Sequence, residues 1–191
     1  RIGAIAIPAT HLLTKKDFIY RNSAASVKAI ICVDDQKVLD NVDAALAESP
    51  TLKHRIALNG GRGSSGGSMR TGWRDLGAEM AKASPRMERV ATENTDTSLL
   101  YFTSGTTGMP KMVQHDFVYP LGHILTAKYW QCVEDGGLHF TVAETGWAKA
   151  LWGKIYGQWI CGAAVFVYDY DRFVPSQLLS VMCSHGVTSF C

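Results

Sequence analysis

Between Thr103 and Lys111 the chain reads TSGTTGMPK, in which four hydroxyl side chains and two glycines close on a lysine. The hydroxyls of Thr103, Ser104, Thr106 and Thr107 can each donate to a phosphate oxygen. Gly105 and Gly108 permit positive φ, so successive N–H groups can point into one concavity that attracts an anion. Lys111 adds a point charge directly after Pro110, whose ring fixes φ. The apolar run SLLYF (98–102) leads straight into this stretch, and a short helical pattern follows it. A strand that ends in such chemistry implies a phosphate cradle at the edge of a sheet, where α/β proteins bind their ligands. The spacing departs from the common P-loop, which has four residues between its glycines; here only Thr106 and Thr107 separate Gly105 from Gly108. An ordinary polar turn has no need of this combination.

A second glycine-rich stretch, NGGRGSSGGSMRTG (59–72), matches two other patterns. Gly61, Gly63 and Gly66 have the spacing of a dinucleotide fingerprint, which would make the protein an NAD(P)-dependent oxidoreductase. Gly63, Ser65 and Gly67 have the spacing of a hydrolase nucleophile elbow. Both sites require a helix to begin at once, and Gly67, Ser68 and Met69 start none before Gly72. Residues 60–70 are therefore expected to be a mobile surface connection. His115, four residues after Lys111, fits either a ligand contact or a satisfied loop histidine, and residue type leaves both open. The other histidines (11, 54, 123, 139 and 185) form no constellation.

The elements that must position the cradle alternate. Strands are expected at 2–7, 28–33, 55–59, 98–102, 138–143, 163–168 and 187–191, as continuous apolar runs. Helices are expected from Thr14 to about Ser23, after Asp35 with Val38, Leu39, Val42, Ala45 and Leu46 at helical spacing, and over 72–83, 116–131, 147–160 and 175–184. This order predicts an α/β fold with a layered, mainly parallel sheet and flanking helices. Trp147, Leu151 and Ile155 share one helical face, and Trp152 and Trp159 are expected in the core.

Composition narrows the function. The chain has 191 residues, 47% of them hydrophobic, enough for a sizeable core. A net charge of +2 gives no basis for nucleic-acid binding. Five cysteines at wide, irregular spacing suit neither zinc nor a disulfide framework, and imply packed, reduced thiols. That points to the cytoplasm or, in a eukaryote, the mitochondrial matrix. No apolar run approaches the roughly 20 residues of a membrane span, and no signal peptide is visible. RIGAIAIP at the start and GVTSFC at the end both read as buried strands, so the chain is expected to be an excerpt that self-associates through exposed apolar edges.

YFTSGTTGMPKMVQH (101–115) resembles the phosphate-binding signature of adenylate-forming enzymes, which include acyl-CoA synthetases, luciferases and peptide-synthetase adenylation domains. ETGWAKALWGKIYGQWICGAAVFVYDYDRFVP (144–175) resembles the substrate-pocket segment of AMP-forming acyl-CoA synthetases, most closely the medium-chain group, and residues 1–21 resemble an early stretch of the same enzymes. Met112 replaces a glycine common in the wider family but is shared with the medium-chain group. Glu144 stands where an Asp commonly precedes Thr-Gly-Trp, which moves the carboxylate by one methylene.

The resemblance implies a two-step reaction: ATP and a carboxylic acid give an acyl-adenylate and pyrophosphate, then the thiol of coenzyme A displaces AMP. It implies that Thr103, Ser104, Gly105, Thr106, Thr107, Gly108 and Lys111 hold the β- and γ-phosphates with Mg²⁺ sharing the charge. Thr107 and Lys111 would be the catalytic contacts. It implies too that Trp147 and Ala148 wall the acyl pocket. Motifs for adenine and ribose, a Mg²⁺ glutamate and the mobile C-terminal domain have no counterpart in 1–191. The chain is thus expected to be part of the N-terminal adenylation domain and to be inactive alone. An aryl acid in place of a fatty acid, or a phosphate-binding fragment without turnover, remain alternatives.

Overall fold

The computed structural model describes residues 2–58, 69–104, 108–170 and 172–191. They form two compact units, one of Thr10–Arg89 and one combining Ile2–Ala9 with Val90–Cys191. The 59–68 part of the glycine/serine stretch, with Gly61, Gly63, Ser65, Gly66 and Gly67, lies outside the described residues, as do Gly105, Thr106 and Thr107.

In the first unit, helix α1 (Lys15–Ala24) begins at Thr14, whose backbone N–H and hydroxyl both donate to the Asp17 carboxylate, at 2.8 and 2.7 Å. Those two bonds hold the Asp17 carboxyl below the usual range. Strands β1 (Ala29–Val33) and β2 (His54–Leu58) pair in parallel, with Ala29 opposite His54, and β2 pairs in parallel with β3 (Arg74–Asp75). The crossover from β1 to β2 carries α2 (Gln36–Ala45), whose Leu39, Val42 and Ala45 enter a core with Leu13, Phe18, Leu52, Ala57 and Trp73. Asp35 starts that helix, its carboxylate accepting the Val38 N–H at 3.1 Å. Asp35→Ala is expected to lower stability by about 1 kcal/mol, read as a lower urea midpoint; an unchanged midpoint would show that the cap contributes nothing. Helix α3 (Leu76–Lys82) begins the same way, the Asp75 carboxylate accepting from the Ala78 N–H at 2.6 Å.

In the second unit, β4 (Thr97–Thr103) pairs antiparallel with β5 (Lys111–Asp116), which puts Thr103 opposite Lys111. A separate parallel sheet has β6 (Leu138–Phe140) between β7 (Ala164–Val165) and β8 (Ser189–Phe190). Helix α4 (Tyr119–Leu125) runs on into a π turn, Thr126–Trp130. Helices α5 (Lys149–Leu151) and α6 (Gly157–Ile160) are joined by a second π turn, Trp152–Tyr156. Helix α7 (Pro175–Ser184) starts on its proline, which needs no N–H partner there.

The α/β class with parallel sheets and flanking helices is as expected, but several elements differ. Residues 2–7 are not a strand: only Ala6 bonds to a neighbour, its N–H donating to Ser98 O and its carbonyl accepting from Leu100 N–H, both at 3.0 Å. The expected strand at 28–33 is not buried on both faces, since Ile31 is 61% exposed. Helix 72–83 shortens to α3 because Arg74 and Asp75 extend the sheet. Helix 116–131 begins only at Tyr119, because residues 111–116 pair with β4. The strands expected at 138–143 and 163–168 shorten to three and two residues. The cysteines are free but not mostly packed, Cys132 and Cys183 being exposed. Among the described residues no helix is long and apolar enough to cross a membrane.

Candidate functional site

The cradle is the tip of the β4–β5 hairpin. Leu99, Leu100 and Tyr101 anchor β4 by burial, and Thr103 and Ser104 at its end are exposed. The Thr103 hydroxyl donates to the Lys111 carbonyl at 3.4 Å, closing the base of the loop. Gly108 has φ +115°, and among the described residues nothing lies within 4 Å of where a Cβ would stand, so the backbone conformation itself calls for glycine there. Lys111 makes no ion pair among the described residues, which leaves its ammonium charge available to an anion. Thr103, Ser104, Gly108 and Lys111 are thus gathered at one exposed end of the hairpin. The expected strand-to-helix turn is corrected: a second strand follows the loop. Among the described residues Lys111 supplies the positive charge there, with no helix terminus behind it.

Beyond Lys111, β5 leads to a cleft of about 450 Å³ lined in part by Gln114, His115, Asp116, Tyr119, His123 and Thr126. The Asp116 carboxylate accepts from the N–H groups of Val118 and Tyr119 at 3.0 and 3.1 Å, which turns the chain into α4. His115 is neither a free loop residue nor solvent-bathed. Its ring lies 4.0 Å from the Tyr119 ring and meets Tyr101 edge-on at 5.6 Å. Burial, then the nearby His115 charge, lowers the pKa of His123, so its ring favours the neutral form. Burial also pushes the Tyr119 phenol up to about 12 and raises Tyr101 and Tyr156, making all three donors and not bases near neutral pH. The Tyr101 hydroxyl is buried without a partner among the described residues.

Trp147 and Ala148 belong to a different part of the unit, in the turn just before α5, and are not among the residues lining that cleft. Trp147 is 66% exposed. The turn before it is held by Glu144, whose carboxylate accepts the Gly146 N–H at 3.1 Å and whose carbonyl accepts the Trp147 N–H at 3.0 Å. The extra methylene of Glu144 therefore does not prevent it from bonding two residues ahead, as an Asp does in an Asx turn. Trp152 is half-buried and stacks on His123 at 5.7 Å. Trp159 is not in the core as expected; it is 63% exposed.

Sequence reasoning missed His139. It is fully buried, with Nδ1 2.8 Å from the Ser189 hydroxyl and Nε2 3.0 Å from the Gly153 carbonyl. The available signal was the i, i+2 spacing of His139 and Thr141 in an otherwise apolar run, which puts two polar groups on one strand face.

The model of the AMP-binding enzyme family matches residues 1–191. The chain belongs to the AMP-binding enzymes. The mitochondrial acyl-coenzyme A synthetase ACSM5 of Mus musculus is 33% identical over 192 residues, covering 100% of this chain and 32% of that protein. ACSM3 of Homo sapiens, also mitochondrial, is 31% identical over 192 residues, covering 100% of this chain and 31% of that protein. The chain spans about a third of the length of the curated relatives it matches. Its fold matches the anthranilate CoA ligase AuaEII, solved with anthranoyl-AMP, at a TM-score of 0.84 and 22% identity, over 98% of this chain and 35% of that one. It matches an acyl-CoA synthetase of Brucella canis at 0.82 and 23% identity, over 100% of this chain and 33% of that one.

Proposed function

We propose that this chain supplies the triphosphate cradle and part of the acyl site of an AMP-forming acyl-CoA synthetase. The observation that carries the reading is the β4–β5 hairpin, which gathers hydroxyls, a positive-φ glycine and an uncompensated lysine at one exposed tip. The family match and the names of the relatives support the same reading. They lend nothing to an oxidoreductase using Gly61, Gly63 and Gly66.

In the first step a carboxylate oxygen attacks the α-phosphorus of ATP, the bond to the β-phosphate oxygen breaks, and pyrophosphate leaves. In the second, the CoA sulfur attacks the acyl carbon and AMP leaves with the electron pair. The chain's contribution is to position phosphates and neutralise their charge, which is most of what phosphoryl-type transfer needs from a protein. Ser104, Thr106 and Thr107 donate to the β- and γ-phosphate oxygens, Thr103 joins them by exchanging its long 3.4 Å bond to the Lys111 carbonyl for one to phosphate, Gly105 and Gly108 let the backbone approach, and Lys111 balances charge on the leaving pyrophosphate. These donors fit a triphosphate. Among the described residues no group of His, Cys, Asp or Glu side chains suits a metal ion, so no step is assigned to Mg²⁺.

Trp147 and Ala148 form one wall for the acid, and a medium-chain fatty acid is the substrate suggested by the resemblance of residues 144–175 to the medium-chain group. Residues 1–191 correspond to part of an N-terminal adenylation domain whose mobile C-terminal partner completes the site. The names of the relatives say mitochondrial, and the mitochondrial matrix is the proposed location.

The test is acid-dependent exchange of pyrophosphate into ATP by the intact protein. Thr107→Val removes one donor at nearly constant volume and is expected to weaken the reaction by about 1.5–3 kcal/mol, or roughly 10- to 150-fold. Unchanged ATP KM and kcat in that variant would count against the cradle.

A further inference from the structure

The helix expected over 147–160 begins only at Lys149, with Ala148 as its N-cap and Trp147 in the bend just before it, and it is not a continuous α-helix. Between α5 and α6 it widens into the π turn Trp152–Tyr156, which holds one residue more than an α turn. One extra residue rotates everything on its N-terminal side by about 100° relative to the other end. The C-terminal end is anchored: a Cβ on Gly157 would stand 2.3 Å from the His123 carbonyl oxygen and 2.7 Å from the Ala127 Cβ, so α6 lies hard against the α4 segment. With that end fixed, the π turn decides which way Trp147 and Ala148 face.

What holds the turn open is the carbonyl of Gly153. It accepts from His139 Nε2 at 3.0 Å, from Gln131 Nε2 at 3.0 Å, and from the Thr141 hydroxyl. With the single Thr141 hydroxyl hydrogen donated to that carbonyl, His139 Nε2 faces two acceptors, Thr141 Oγ1 at 2.8 Å and the Gly153 carbonyl, so it carries the proton and Nδ1 accepts from the Ser189 hydroxyl on β8 at 2.8 Å. Gln131 Oε1 accepts from Gln158 Nε2, which fixes the orientation of both amides. A carbonyl has two lone pairs, so three side-chain donors saturate it. Nothing is left for the amide four residues on, which an uninterrupted α-helix would need. Gly153 itself is tightly enclosed, a Cβ there falling 3.1 Å from Lys149 Cγ and 3.4 Å from Gln131 Nε2.

We propose that His139, Thr141 and Gln131, by clamping the Gly153 carbonyl, fix the π register of the 149–160 helix and so set the face that Trp147 and Ala148 present to the acid. They are positioning residues for acid selection, and His139 ties the device to β6 and β8. This rests on the reading of Trp147 and Ala148 as an acyl wall.

The experiment uses the intact protein with ¹⁵N-labelled tryptophan, the Trp147 indole resonance being assigned by Trp147→Phe, together with acid- and ATP-dependent exchange kinetics. Thr141→Val keeps volume and removes one donor; His139→Leu removes another, and His139→Gln restores an amide donor. Expected are a displaced Trp147 indole resonance and an acid KM raised about five- to tenfold in Thr141→Val and His139→Leu. The ATP KM should stay within twofold, the preference among acid chain lengths should change, and His139→Gln should recover most of the loss. A folded Thr141→Val protein with an unmoved Trp147 resonance would overturn the register proposal, as would acid and ATP KM rising together. Absence of acid-dependent exchange in the unsubstituted protein would overturn the proposed activity instead, and the register would then be judged by the Trp147 resonance alone.

Discussion

Replacing Lys111 with methionine is expected to slow acid-dependent pyrophosphate exchange by about 10- to 150-fold, with little change in stability. A charge-assisted contact to a phosphate oxygen contributes about 1.5–3 kcal/mol, and each 1.4 kcal/mol is a tenfold change in rate. Lys111 stands exposed at the first position of β5 and forms no ion pair among the described residues, so its removal strips no partner from the fold. The loss should fall mainly on kcat if the ammonium meets charge that builds on the departing pyrophosphate, and mainly on ATP KM if it holds the ground-state triphosphate equally well. Lys111→Arg separates charge from shape: it keeps the cation but spreads it over a planar fork, so partial recovery is expected. An exchange rate within twofold of the unsubstituted protein in Lys111→Met would remove the lysine from the site.

The composition of that loop was legible because hydroxyls, glycines and a lysine at this spacing answer to one need, anion binding. Its setting was not. MVQH after Lys111 carries too few apolar residues in alternation to announce a strand, and only pairing with Leu100 and Tyr101 across the hairpin makes it one. Helix α2 was legible for the opposite reason, since Asp35 and the Val38–Ala45 stripe agree on start, period and buried face. Residues 2–7 look like a strand from isoleucine content alone, yet Ile2 and Ile5 remain exposed and Ala6 makes the only ladder contacts. The π turns were beyond reach for a definite physical cause. A wide turn stands or falls by where a carbonyl finds its donors, and for Gly153 those donors come from residues 12, 14 and 22 positions away in sequence.

Substituting alanine at Gly157 should destabilise the second unit by about 2–3 kcal/mol, a large fraction of the stability of a typical domain. Two effects oppose each other. Alanine is favoured over glycine in a helix by about 1 kcal/mol, and Gly157 already has helical φ of −63° and ψ of −37°, so its backbone gains from the change. Against that, the new methyl would stand 2.3 Å from the His123 carbonyl oxygen, 2.7 Å from the Ala127 Cβ and 3.0 Å from the His123 carbonyl carbon. None of these atoms is the end of a flexible side chain, so relief requires one helix to shift bodily against the other. Close-packed interiors resist such shifts, and the overlap should win. Gly122 provides the control: a Cβ there meets nothing within 4 Å, so Gly122→Ala should be neutral or stabilising by up to about 1 kcal/mol. Urea unfolding followed by tryptophan fluorescence reads both variants, since Trp130 and Trp152 lie 6.0 Å apart beside this contact. A Gly157→Ala protein as stable as the unsubstituted one would mean that α4 and α6 are free to separate. The fixed end on which the register of Trp147 depends would then be lost as well.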